Sequence, residues 1–350
     1  MTSQPPVTGV WRGFASDNYA GIHPDVLAAI ASVNAGHQVA YGEDETTATL
    51  QELMRAQFGE QAEVFPVFNG TGANVIALQA MTNPWEAVIC TESAHVHADE
   101  GGAPEKVAGI KLWTVPTPDG KLTPELIDKQ AWGFGDVHRA QPGAITLAQS
   151  TELGTVYSVP ELTALVDHAK SLGLRVHLDG ARIANGAASL GVSLREFTTD
   201  LGVDAVSFGG TKNGALAAEA VVVLNPATVP AVPFLRKTSM QLASKMRFIS
   251  AQLAALLTDD LWLRNATHAN AMAARLRDAL TEIPQVQITR APQANAVFAI
   301  LPKTATEALQ EQYRFYEWNP STGEVRWMCS WDTCEADVDE FAAAIAAQLR

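Results

Sequence analysis

The sequence predicts an α/β protein, with a mostly parallel seven-stranded sheet in a large domain and a smaller α+β domain at the C-terminal end. Three observations carry this expectation. Seven short apolar runs recur through the first two thirds of the chain, helix-like segments separate several of them, and the texture changes in the last third. The runs are nearly continuous in apolar residues and do not alternate, which marks strands covered on both faces. Strand, helix and strand in repetition give a parallel sheet with helices on its two sides.

The elements follow in chain order. Val64–Phe68 is the first run, and Asn74 to Met81 continues it as a helix, with Val75, Leu78, Gln79 and Ala80 on a helical turn pattern. Ala87–Cys90, Lys111–Val115 and Ala144–Ala148 are the next three runs. Pro160 to Leu172 reads as a helix because proline suits a first turn, Leu162, Leu165 and Val166 are spaced for one face, and Gly173 is a stop. Leu174–Leu178, Asp204–Phe208 and Ala220–Leu224 complete the seven. A long helical pattern then covers Ser239 to Leu257 and breaks near Thr258-Asp259-Asp260. Asn265 to Leu280 is a second helix, Val286–Thr289, Ala296–Leu301 and Glu324–Ser330 are strands, and Glu335 to Arg350 closes the chain as a helix. The boundary is placed near residue 250, giving a large domain over 1–250, N-terminal segment included, and a small domain over 251–350.

Composition narrows the class. The chain has 350 residues, 47% hydrophobic and 18% charged, a globular balance at a length that suits two domains. With 24 Lys+Arg against 38 Asp+Glu the formal net charge is -14, so no basic excess exists to displace counterions from nucleic acid or an anionic membrane. Cys90, Cys329 and Cys334 are too few and too irregular for a disulfide framework or a zinc cluster, and read as reduced thiols. The start, MTSQPPVTGVWRGF, lacks the basic and apolar regions of a signal peptide. No run reaches the ~20 apolar residues of a membrane span. The expectation is a cytoplasmic enzyme acting on a small molecule, with no nucleic-acid or membrane partner.

In parallel sheets of this kind ligands bind beyond the carboxyl ends of the strands. The residues that follow the runs there are Asn69-Gly70-Thr71-Gly72, Thr91 to His95, Gln149-Ser150-Thr151-Glu152, Asp179-Gly180-Ala181-Arg182 and Gly209-Gly210-Thr211-Lys212. One His, one Asp, one Arg and one Lys thus share an edge. Asn69 to Asn74 precedes a helix, whose N–H groups and positive end suit a phosphate, although a plain tight turn reads the same way. Asp179 needs a positive partner at a buried strand end. That partner is either Arg182 three residues on or a cationic heterocycle nitrogen. Lys212 is a solvated loop lysine or, if buried, an amine that gives up its proton and attacks carbonyls. His95 is a satisfied hydrogen-bonding side chain, a stacking partner for an aromatic cofactor, or a proton carrier.

A phosphate loop, His, Asp-x-x-Arg and Lys in that order resemble the fold-type-I pyridoxal-phosphate enzymes, whose transferase-like large domain carries such a sheet. "FASDNYAG", "AYGEDETT", "FNGTGAN", "AHVHADEGGAPE", "LDGARIANGAASLG" and "SFGGTKNGALAAEAVV" are similar to motifs of the threonine aldolase family in the β-eliminating lyase group. "LASKMRFISAQ" and "EVRWMCSWDTCEADVDEF" carry the likeness through the second domain. Gly-Thr-Lys-Asn-Gly resembles the low-specificity L-threonine aldolase branch, whereas many members carry Ser-Lys-Gly-Leu at the lysine. "QSTELG" stands where the more usual run is Glu-Asn-Thr-His.

The resemblance implies pyridoxal 5'-phosphate bound through a Schiff base to Lys212, with Asp179 at the ring nitrogen and His95 stacked on the ring. It implies His138 as a second histidine near the substrate side chain, and either histidine as the base for the β-hydroxyl proton. Gly70 and Thr71, with Lys245 and Arg247 from a neighbouring subunit, are the implied phosphate ligands. Arg326 is the implied carboxylate-binding arginine, Ser16 and Arg182 its helpers, and Tyr41 a grip on the β-hydroxyl. The implied reaction cleaves L-threonine or L-allo-threonine, and relatives such as phenylserine, to glycine and an aldehyde in a homotetramer with shared sites. The alternative is another reaction at Cα with the same cofactor: β-elimination, racemisation or aminotransfer.

Overall fold

A computed structural model describes residues 12–350, so the reading of the N-terminal start falls largely on residues 1–11, outside the described residues. Each of the seven apolar runs is a strand: β1 (Glu63–Val67), β2 (Glu86–Thr91), β3 (Lys111–Val115), β4 (Gln141–Ala148), β5 (Arg175–Gly180), β6 (Ala205–Gly209) and β7 (Glu219–Val223). They form one sheet in the order β1-β7-β6-β5-β4-β2-β3. Neighbours from β6 through β5, β4 and β2 to β3 are parallel, and only β7 runs against both of its neighbours. Strands β6 and β7 are buried at every position, which is why their sequences show no alternation.

The antiparallel return from β6 to β7 places Lys212 in a short 3-10 turn, Thr211–Asn213, at the carboxyl end of β6. The two glycines before it are needed for backbone contact. A Cβ on Gly209 would stand 2.6 Å from the carbonyl oxygen of Ala181, and one on Gly210 2.4 Å from that of Ala218. Helix Gly70–Met81 crosses the face of β5, β6 and β7, with Asn69 as its N-cap. Helix Val159–Ser171 has Pro160 in its first turn and a capping box formed by Ser158 and Glu161.

The continuous helix expected over 239–257 is interrupted. Helix Val232–Thr238 ends first, Met240 takes φ 61, and a new helix runs only from Arg247 to Leu257. The non-helical stretch has its own partners: the N–H of Gln241 donates to the Arg236 carbonyl, and its side-chain oxygen accepts from the N–H of Phe68. A helical periodicity cannot register that tertiary bond to the loop ahead of helix Gly70–Met81. The break at Thr258–Asp260 is present, with Asp259 and Asp260 both at positive φ.

Beyond helix Leu261–Thr281 lies a second, antiparallel sheet, built of β8 (Gln287–Ile288), β9 (Ala296–Ile300), β10 (Tyr316–Asn319) and β11 (Glu324–Met328) in the order β10-β11-β9-β8. Helices Lys303–Gln310 and Glu335–Gln348 cover it. Strand β10 and helix Lys303–Gln310 are additions to the sequence-based expectation; β10 is an edge strand with no buried residue and hence no apolar run.

The two largest hydrophobic cores are separate, and the helix over 261–281 serves both: Leu261, Trp262 and Ala266 belong to the larger, Met272, Ala273, Leu276 and Leu280 to the smaller. Phe14 lies in the smaller core, stacked on Phe341 at 4.2 Å, while Trp327 meets Phe341 edge-on at 5.4 Å. Backbone bonds from Phe14 N–H to the Arg314 carbonyl and from Met328 N–H to the Phe14 carbonyl hold this segment beside β11. Phe341→Ala removes the ring that Phe14, Tyr313, Phe315 and Trp327 all meet. We expect a loss of about 3–5 kcal/mol, read as a lowered urea midpoint with fluorescence detection.

Candidate active site

Asp179 ends β5 with its side chain buried, and the register sets it opposite Ser207 of β6. Its carboxylate accepts from Asn74 Nδ2 at 2.8 Å and from the N–H of Ala181 at 3.0 Å. Arg182 is not its partner. The guanidinium turns to Asp17, donating from Nε at 2.7 Å and from its terminal nitrogen at 2.9 Å, and Asn295 donates to the same carboxylate at 3.1 Å. Of the two readings of Asp179, the ion pair with Arg182 is therefore excluded. Burial pushes Asp17 up, but the Arg182 pair more than offsets it and leaves that carboxyl below its usual range.

Lys212 is half-buried, and the desolvation lowers its proton affinity. The Arg182 charge acts in the same direction, while Asp17, Asp179 and Glu219 oppose it without reversing the sign. Glu219, fully within the protein, is itself pushed up to about 7 by burial and accepts from the N–H of Thr211. An amine of lowered proton affinity thus stands at the same edge as a carboxylate that, among the described residues, forms no ion pair.

His95 opens a one-turn helix, His95–Ala98, after β2. Its N–H donates to Glu152 Oε1 at 2.9 Å, and its ring Nδ1 lies 2.9 Å from Glu100 Oε1. Glu152, in the loop after β4, is raised to about 7, first by burial and next by the Asp179 charge. Its second oxygen and the Ser150 hydroxyl are buried without a hydrogen-bond partner.

Arg326, on β11, is lowered to about 10 by burial and then by Arg182. The guanidinium lies 4.4 Å from the Trp318 ring centre, donates to the Ala15 carbonyl at 3.3 Å, and keeps a buried Nε without a partner. Ser16 caps the turn Asp17–Tyr19 and so stands between Ala15 and Asp17. At the other side of the edge, Asn69 Oδ1 accepts from the N–H of Gly72, and the space around Gly70 is open to at least 4 Å. The N–H groups of Gly70 and Thr71 belong to the first turn, where a helix has no internal acceptors.

Four expected site residues lie elsewhere. His138 is exposed, in the loop that precedes β4. β4 is eight residues long, and at about 3.3 Å per residue the loop is roughly 25 Å from the edge that carries Asp179. Tyr41, Lys245 and Arg247 share a second surface. The N–H of Tyr41 donates to the Ser244 carbonyl, Lys237 lies 5.2 Å from the Tyr41 ring, and Arg247 keeps a buried Nε without a partner. Among the described residues none of the four shares a hydrogen bond or ion pair with Lys212, Asp179 or His95. Conversely, Asp17, Asn74, Glu100, Glu152 and Asn295 belong to the cluster and were not singled out in the sequence. Asn74 had a signal, being a polar residue on a helix turn otherwise made of Gly72, Ala73, Val75 and Ile76, all buried.

Sheet order, a lysine in the turn after β6 and a carboxylate at the end of β5 define an α/β enzyme built around a buried amine. The chain belongs to the beta-eliminating lyase family, a pyridoxal-phosphate-dependent group, whose sequence model matches residues 13–304. It is 45% identical over 338 residues to the low specificity L-threonine aldolase of Pseudomonas sp. (strain NCIMB 10558), spanning 96% of this chain and 97% of that protein. The Pseudomonas aeruginosa low specificity L-threonine aldolase is likewise 45% identical, over 95% of this chain and 96% of its own. Among solved structures, the threonine aldolase of Leishmania major superposes with a TM-score of 0.91 at 30% identity, covering 96% of this chain and 99% of that one.

Proposed function

We propose that this protein cleaves L-threonine, L-allo-threonine and related β-hydroxy-α-amino acids such as phenylserine to glycine and an aldehyde, using pyridoxal 5'-phosphate held at Lys212. The observation that carries the reading is the presence, at one sheet edge, of a half-buried Lys212 of lowered proton affinity and a buried Asp179 that, among the described residues, forms no ion pair. Identity of 45% to low specificity L-threonine aldolases along nearly the whole chain supports this reaction over others of the same cofactor.

The residues present fit the cofactor. Open space at Gly70 and the N-terminus of helix Gly70–Met81 suit its phosphate, and orphaned polar atoms of Ser150, Glu152 and Arg326 line the same edge. When bound, pyridoxal phosphate supplies the ring that takes up the electron pair left on Cα as the Cα–Cβ bond breaks. Asp179 would favour, by its charge, the protonated form of the cofactor's ring nitrogen. Lys212, whose burial lowers its proton affinity, would hold the cofactor's aldehyde group. Gly70 and Thr71 hold phosphate oxygens through their N–H groups. Arg326 binds the substrate carboxylate, with Ser16 beside it. Arg182, committed to Asp17, acts as the brace of that wall. His95 takes the β-hydroxyl proton on its Nε2.

Tyr41, His138, Lys245 and Arg247 complete the site from neighbouring subunits of a homotetramer in this reading, which is supported by their sharing, among the described residues, no hydrogen bond or ion pair with Lys212, Asp179 or His95. A division near residue 250 into two domains belongs to the same proposal, supported by the two separate cores. A cytoplasmic location is part of it as well. Among the described residues no helix is long and apolar enough to cross a membrane.

The test is product analysis with L-threonine, L-allo-threonine, serine, phenylserine and alanine. Glycine with a stoichiometric aldehyde supports the reading, whereas pyruvate, racemised substrate or an amino-acceptor product as the main outcome overturns it. Arg326→Ala should raise KM more than it lowers kcat, with kcat/KM for L-threonine falling about 10–100-fold, the worth of a lost charge-assisted hydrogen bond.

A further inference from the structure

Asn74 and Glu100 have no part in the chemistry described so far, yet both are buried against His95 and Asp179. Asn74 uses its amide nitrogen twice, donating at 2.8 Å to Glu100 Oε1 and at 2.8 Å to Asp179 Oδ2. A flipped amide would set an oxygen against two carboxylates, so the surroundings determine its orientation. Glu100 Oε1 in turn meets His95 Nδ1 at 2.9 Å. The result is one chain of hydrogen bonds, His95–Glu100–Asn74–Asp179, drawn from three separate stretches of sequence.

We propose that Glu100 and Asn74 are positioning residues that fix Nδ1 of His95 as a hydrogen-bond donor, so that Nε2 is the nitrogen that takes up and releases the proton. The role in turnover rests on the function proposed above; the fixing of the tautomer does not. A carboxylate beside one ring nitrogen decides which nitrogen carries the hydrogen and makes the imidazole a stronger base at the other. Asn74 keeps Glu100 in place by the same group that holds Asp179, so its loss would loosen both.

The charged groups facing His95 are Glu100 and, from other elements, Asp179 at the end of β5, Glu152 in the loop after β4, and Lys212 after β6. The hydrogen bond to Glu100 raises the proton affinity of the ring above the ordinary imidazole value. Burial lowers it, Asp179 and Glu100 add upward by charge, and Lys212 opposes, with the rise prevailing.

The experiment is a pH titration of the pyridoxal-phosphate-loaded, full-length protein labelled with 15N-histidine, with the His95 signals identified by their loss in His95→Gln. Wild type should show the neutral Nδ1–H tautomer. In Glu100→Gln, which keeps size and an acceptor but removes the charge, the His95 midpoint should move to lower pH. The acid limb of kcat/KM should follow it in the same direction, with the plateau down about 10-fold as the base weakens. Glu100→Asp should bring the midpoint back toward wild type. A neutral Nε2–H tautomer in wild type, or a midpoint unmoved in Glu100→Gln, overturns the proposal, even when activity falls. The reaction assignment is judged separately: a protein that shows the shift but makes no aldehyde from threonine retains this dyad and loses the aldolase reading.

Discussion

Lys212→Ala is expected to reduce glycine release from L-threonine by about 10³-fold or more, with the fold intact. The two halves have different causes. Chemistry fails because no other amine stands in the turn after β6. The fold persists because alanine suits the 3-10 turn Thr211–Asn213, and because among the described residues the Lys212 amine donates no hydrogen bond whose acceptor would be orphaned. Removing a desolvated amine spares the protein a cost, so the thermal midpoint of the cofactor-free variant should equal or exceed that of wild type. Borohydride reduction followed by peptide mapping gives an independent reading: wild type should carry its reduced adduct on the peptide containing Lys212, and the variant none. Wild-type turnover in the variant, or an adduct on another peptide, would remove the amine from its assigned place.

Asp179→Asn is the second large effect. Asparagine is close in size and its one oxygen can still accept from the N–H of Ala181, but its amide nitrogen then faces the donor of Asn74, so one hydrogen bond is lost along with the charge. The negative charge disappears, and Asp17, engaged by Arg182, does not replace it. The variant should bind pyridoxal phosphate and turn over about 10²–10³-fold more slowly, the scale of losing one preorganised electrostatic contact. Steady-state kcat at saturating cofactor is the measurement. A rate close to wild type would contradict the role of the charge.

How much of this was legible in the sequence depended on whether the cause was local. The seven strands were visible because burial on both faces writes an apolar run, and the edge residues His95, Asp179 and Lys212 followed from the strand ends. Strand β10 was not visible because it is exposed, and the helix pattern over 239–246 misled because Gln241 is committed to a distant loop. The partner of Arg182 was equally out of reach. Asp179 is three residues away and Asp17 is 165, and only the folded chain brings the second one closer. Asn74, Glu100 and Asp17 lie inside recognisable motifs, but their role comes from bonds between motifs.

The placement of Phe14 has a consequence for how the molecule matures. The segment that ends in Asp17 is anchored in the core formed by the last third of the chain, while Arg182 follows β5 and precedes Ile183 of the larger core. Closing a loop this long is entropically slow. The pairing of Asp17 with Arg182 therefore requires the closing helix to be in place, and an opening that frees Phe14 from Phe341 is expected to part that pair while the main sheet stays folded.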